Sequence, residues 1–123
     1  MVKFDHMMLP VSDCVASRDW YVRNLGFKIE FENIDAGFSA IQDDAGFTIF
    51  LQKAGGKLAD EKCALTFQVE DVDAVHRRLA AMNLKFLHSP QRLFWGYGAE
   101  LADPDGYVIR LWDEVSMKEK GNG

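Results

Sequence analysis

Little in this chain points to cross-links, membranes or polyanions. Its two cysteines, Cys14 and Cys63, lie far apart and form no CxxC pair, so free thiols are expected rather than a disulfide framework. Charges interrupt every hydrophobic run well short of the roughly 20 apolar residues that a membrane span needs. Basic residues are in the minority, fourteen Lys and Arg against nineteen Asp and Glu, and the net charge of -5 sets a repulsive average field against phosphate backbones. Nucleic acid and acidic membranes are therefore poor partners, while a cationic ligand is allowed. The N-terminus reaches Asp5 and His6 before any apolar run of signal-peptide length, which predicts a cytoplasmic location.

What is present suffices for one folded unit. The 123 residues are 48% hydrophobic and 27% charged, enough apolar surface to offset chain entropy in a single domain spanning 1–123. An internal repeat organises it. Asp43-Asp44-Ala45-Gly46-Phe47-Thr48-Ile49-Phe50-Leu51 recurs as Asp103-Pro104-Asp105-Gly106-Tyr107-Val108-Ile109-Arg110-Leu111, an offset of 60, and Val11-Ser12-Asp13 is echoed by Val69-Glu70-Asp71 at an offset of 58. Each of Asp13 and Asp71 closes an apolar run and opens a helical stretch, where a side-chain oxygen caps free N–H groups.

Pattern and punctuation predict a strand near 3–11, a helix near 13–24 with Val15, Trp20, Val22 and Leu25 on its apolar face, and strands near 27–33, 36–42 and 46–53. The order repeats: strand 63–70, helix 72–83 with Val72, Val75, Leu79 and Met82 on one face, then strands near 84–88, 97–102 and 106–113. This is an α+β chain of two βαβββ modules, the first about 3–53 and the second about 63–113, with a linker over 54–62 and a polar tail over 114–123 expected to fray. Strand parity turns Met7, Leu9, Val11, Leu65, Phe67 and Val69 toward the helices, with Phe47, Ile49, Leu51, Tyr107, Ile109 and Leu111. His6, Met8, Thr48, Phe50, Thr66, Val108, Arg110 and Trp112 then share the opposite face.

Two such modules, the helix ending Trp20-Tyr21-Val22-Arg23-Asn24-Leu25-Gly26-Phe27 and the turn Asp103-Pro104-Asp105-Gly106 together resemble the vicinal-oxygen-chelate superfamily, which holds glyoxalases, extradiol dioxygenases, fosfomycin-resistance enzymes and bleomycin-resistance proteins. The resemblance implies a curved mixed sheet around a concave cleft, helices on its outer face. In the metal enzymes of that group the ligands lie on the first and last strand of each module, which here carry His6, Phe50, Ala64 and Arg110. Only His6 can ligate, so no metal and no cofactor are expected, the alternative being a displaced site that uses Glu100 or His88. Asp35-Ala36-Gly37-Phe38-Ser39-Ala40-Ile41-Gln42, Trp95-Gly96 and Val108-Ile109-Arg110-Leu111 resemble the bleomycin-resistance branch more closely.

Phe38, Phe50, Trp95, Tyr97 and Trp112 are expected on or around the concave face, either as a cup for a flat or cationic ligand or as filling for the core or a subunit interface. Glu100 and Arg110 share that face, as a mutual salt bridge or as groups that orient a ligand. No serine sits in a nucleophile elbow, neither cysteine has a sequence cue for a paired histidine, and Gly96-Tyr97-Gly98 lacks the helix start of a phosphate loop. His76 belongs to a helix face. The expected function is metal-free binding of an aromatic or cationic antibiotic-like small molecule by His6, Met8, Phe38, Phe50, Trp95, Tyr97, Glu100, Arg110 and Trp112, in a homodimer that confers antibiotic resistance. The alternative is a glyoxalase- or dioxygenase-like enzyme with an altered metal site, in which His6 and Glu100 would be the acid–base pair.

Overall fold

The computed structural model describes residues 1–121, and the chain divides into two units, Met1–Asp60 and Glu61 onward. In the first, β1 (His6–Val11) leads through α1 (Cys14–Leu25) to β2 (Lys28–Asn33), β3 (Phe38–Gln42) and β4 (Thr48–Lys53). In the second, β5 (Ala64–Gln68) leads through α2 (Val72–Ala81) to β6 (Phe86–Leu93), β7 (Gly96–Ala102) and β8 (Val108–Trp112), followed by α3 (Glu114–Lys120). Both sheets have four strands in the same order, β1-β4-β3-β2 and β5-β8-β7-β6, with a parallel first pair and antiparallel pairs after it. The two βαβββ modules of the sequence are thus present as two α+β units. No described helix is long and apolar enough to cross a membrane.

Local chemistry starts and stops the helices where expected. Asp13 caps α1 by accepting the N–H groups of Val15 and Ala16 at 3.0 and 3.1 Å, and Asp71 caps α2 through Ala74 N–H at 3.1 Å. Gly26 ends α1 in the left-handed region at φ 73°, a backbone that side chains disfavour. The buried stripe of α1 is Cys14, Ser17, Tyr21 and Asn24, not the more hydrophobic set Val15, Trp20, Val22 and Leu25, which is only half-buried. The spacing i, i+3, i+7, i+10 is ideally helical, but two of its members are polar and hide it from a hydropathy reading. In α2, Val72 and Leu79 are buried while Met82 lies past the helix end and is exposed.

One face of each sheet packs on its helix. Leu9, Val11, Ile41, Ile49 and Leu51 are essentially inaccessible in the first unit, as are Leu101, Ile109 and Leu111 in the second. Burial of each such side chain stabilises by roughly 1.5–3 kcal/mol. Phe47, expected among them, is exposed: its ring stacks on Phe4 of the N-terminal segment with centroids 5.6 Å apart instead of entering the core, whereas its counterpart Tyr107 is buried.

Two further stretches differ from expectation. The strand anticipated near 84–88 runs on through Pro90 to Leu93, which is possible because β6 is a sheet edge and its register shifts between His88 and Gln91, so the proline's missing N–H costs no ladder bond. The polar tail is not frayed over Glu114–Lys120 but helical, started by buried Asp113, whose side chain accepts Ser116 N–H at 2.7 Å. Residues 122 and 123 of that expected tail lie outside the described residues.

Candidate ligand-binding site

The face of the second sheet turned away from α2 carries a pocket of about 390 Å³, lined by Thr66 of β5, Arg110 and Trp112 of β8, Trp95 of the β6–β7 turn and Met117 of α3. Two glycines make room for it. A Cβ on Gly98 would collide with the Leu111 carbonyl oxygen and come within 2.5 Å of the Trp95 ring, so the missing side chain is the slot in which the indole lies. A Cβ on Gly96, whose φ of 130° already suits glycine, would run into the Met117 thioether. Gly96-Tyr97-Gly98 is therefore a seat for two pocket walls. The Tyr97 N–H, 3.4 Å from the Met117 sulfur, holds the second wall in place.

A row of side chains crosses this sheet. Strand register sets His88 opposite Glu100, Glu100 opposite Arg110 and Arg110 opposite Thr66. Glu100 accepts from His88 Nε2 at 2.8 Å on one oxygen and from Arg110 Nε at 3.0 Å on the other, and the three side chains are 15–24% exposed. The other His88 nitrogen, Nδ1, is 2.9 Å from the Ser89 carbonyl. Burial pushes the Glu100 carboxyl upward, yet the hydrogen bonds from His88 and Arg110 outweigh it and hold the group below the usual carboxylate range. Such a carboxylate is a weak general base near neutral pH. The Arg110 guanidinium carbon lies 4.8 Å over the Trp95 ring, a cation–π contact at a partly desolvated position.

The equivalent row in the first unit is apolar: Phe31, Ala40, Phe50 and Met8 stand in register across β2, β3, β4 and β1. Phe50 stacks on Phe38 at 5.6 Å and on His6 at 4.2 Å, and Phe31 meets both phenyl rings edge-on. His6 also bonds Asp5 through Nδ1 at 2.7 Å. His6, Met8, Phe38 and Phe50 thus share one face of the first unit, and Trp95, Glu100, Arg110 and Trp112 one face of the second.

Tyr97 joins neither group. Its hydroxyl donates to Asp73 on α2 at 3.0 Å and Lys120 lies 4.9 Å over its ring, so it faces the helix side with Ala99 and Leu101, against the expectation of a place in the cup. Phe31 and Met117 were not among the expected site residues. Met117 fell in the stretch read as a tail; the signal was Asp113 followed three residues later by Ser116, an N-cap pattern after a strand.

The metal of the resembled enzymes does not fit these residues. At the four ligand points stand one imidazole, a phenyl ring, a methyl group and a guanidinium, and no group of three His, Cys, Asp or Glu side chains that could hold a metal occurs among the described residues.

Comparison with known proteins places this geometry in context. Residues 3–111 match the family model described as Glyoxalase/Bleomycin resistance protein/Dioxygenase superfamily. No curated protein matches. Among solved structures, TnmS3, an antibiotic binding protein from Streptomyces sp. CB03234, is 26% identical with a TM-score of 0.76, covering 91% of this chain and 96% of its own. A Glyoxalase/bleomycin resistance protein/dioxygenase superfamily member from Sphaerobacter thermophilus DSM 20745 is 22% identical with a TM-score of 0.76, covering 92% and 98%. TioX from Micromonospora sp. ML1 is 19% identical with a TM-score of 0.69, covering 89% and 97%.

Proposed function

We propose that this chain, which belongs to the Glyoxalase/Bleomycin resistance protein/Dioxygenase superfamily, is a metal-free binding protein that sequesters a small, flat, antibiotic-like aromatic molecule. The observation that carries this reading is the pocket of the second unit, about 390 Å³ with Trp95 and Trp112 among its walls. Its volume suits a drug-sized guest, and indole rings supply stacking surface with little entropy to lose. The likeness to an antibiotic binding protein supports the same reading. Glu100, the one carboxylate on that face among the described residues, has both oxygens engaged, which favours holding a guest over transforming it.

The test begins with a thermal-shift screen of natural products, since binding to the native state raises apparent stability as RT ln(1 + [L]/Kd). Calorimetric titration of the best compound then compares the parent with Trp95→Ala, Trp112→Ala and His6→Ala. Each lost indole removes on the order of 0.5–1.5 kcal/mol beyond its area, a roughly twofold to twelvefold weakening. His6→Ala should change little. A dominant His6 effect with both tryptophans silent would overturn the proposal in favour of an enzyme.

A further inference from the structure

We infer that the guest of this pocket carries an anionic oxygen group, as an aromatic carboxylate does, and that Arg110 is the residue that reads it; the inference rests on the binding role proposed above. The hydrogen-bond inventory around the pocket is lopsided. Glu100 is the face's strong acceptor, and it is consumed by His88 on one oxygen and Arg110 Nε on the other. Donors are left over. Arg110 spends only Nε, and neither of its terminal Nη groups has a partner among the described residues. The Trp95 indole N–H is buried and also has no acceptor among them. Arg110 lines the pocket and is partly exposed there, so a guest that brings oxygens would give its two Nη groups the acceptors they lack.

Geometry narrows the class further. With Nε tied to Glu100 and the guanidinium carbon over Trp95, the two Nη groups form a fork, the shape that binds a carboxylate through two parallel N–H···O bonds. A cationic guest would find the ring face of Trp95 already occupied by a cation. The expectation of an aromatic or cationic ligand is thereby reduced to its aromatic half. The chain's net charge of -5 acts against any anion, but charges beyond about 8–10 Å are screened at physiological salt, so the group in contact decides.

Three probes that share one ring system test this: 2-naphthoate, 2-naphthamide and 2-naphthylmethylammonium, titrated up to millimolar concentration near neutral pH by calorimetry and tryptophan quenching. The naphthoate should bind at least about tenfold tighter than the amide, and the ammonium most weakly. Arg110→Gln should weaken the naphthoate more than the amide and so close the gap between them, and Arg110→Lys, which keeps the charge but loses the fork, should retain part of the preference. Equal binding of all three, or tightest binding of the ammonium, would overturn the anionic inference and leave the aromatic pocket standing. Failure of all three to bind would overturn both. The ranking in the parent protein decides even if a variant does not fold.

Discussion

Asp113 joins three elements with one side chain. It ends β8, its Oδ1 accepts Ser116 N–H to start α3, and its Oδ2 accepts Val72 N–H at the start of α2, both at 2.7 Å. Burial works to raise its pKa, but the backbone donors outweigh burial and the net shift is downward. A depressed folded value means stability that is present above the unfolded carboxyl pKa of about 3.9 and lost as pH falls through the folded value. Asp113→Ala should therefore destabilise by about 1–3 kcal/mol in urea unfolding at neutral pH, with two orphaned N–H groups left behind. Asp113→Asn should cost less and show a shallower loss of stability below about pH 4. A loss under 0.5 kcal/mol for the alanine variant would contradict this account. At this scale the sequence was partly legible: parity placed Glu100 beside Arg110, yet the same period of two, counted back from Leu101 through Ala99, puts Tyr97 on the helix side. The aromatic count had concealed it.

The repeated turn shows how one element can be copied and then diverge. In the first copy Asp43 Oδ1 accepts the N–H groups of Ala45 and Phe47 at 3.0 and 2.8 Å; in the second Asp103 Oδ1 accepts those of Asp105 and Tyr107, both at 2.9 Å. Gly46 and Gly106 close the two turns at φ 88° and 89°. The surroundings differ, because Asp103 is buried and Asp43 is half-exposed. Alanine at 103 should cost about 1–2 kcal/mol more than alanine at 43 in chemical unfolding, since water can replace the lost acceptor at only one of them. Equal costs would show that the burial difference has no energetic weight. Strand order, helix starts and this turn were legible because the repeat reinforces each signal. The extension of β6 was not, since a proline reads as a stop unless the strand is known to be an edge. The short α3 was masked by its polar composition, and its stability comes from Asp113 and the seat of Met117 rather than from its own pattern.

For the molecule as a whole, the first unit leaves apolar surface in water. Met8 is 49% exposed and Phe31 48%, and both belong to the same cross-strand row. They stand on the two edge strands with half-buried Phe50 of β4 between them, and an exposed apolar band of this kind marks a surface that associates. Light scattering at micromolar concentration should give about twice 13.9 kDa, the homodimer the sequence suggests; a stable monomer would count against it. The strand pairings have a consequence in time as well as in space. His6 pairs with Thr48 and Ala64 with Val108, so the parallel pair in each sheet joins residues some forty positions apart, while the antiparallel neighbours are hairpins. Hairpins form in microseconds, whereas distant pairs wait on loop closure, so β1 and β5 should dock last on their sheets. Every described ladder of the first sheet lies within residues 6–53. A ribosome that has released that stretch has released all the strands this sheet requires, and the first half can mature while the indoles of the pocket are still being translated.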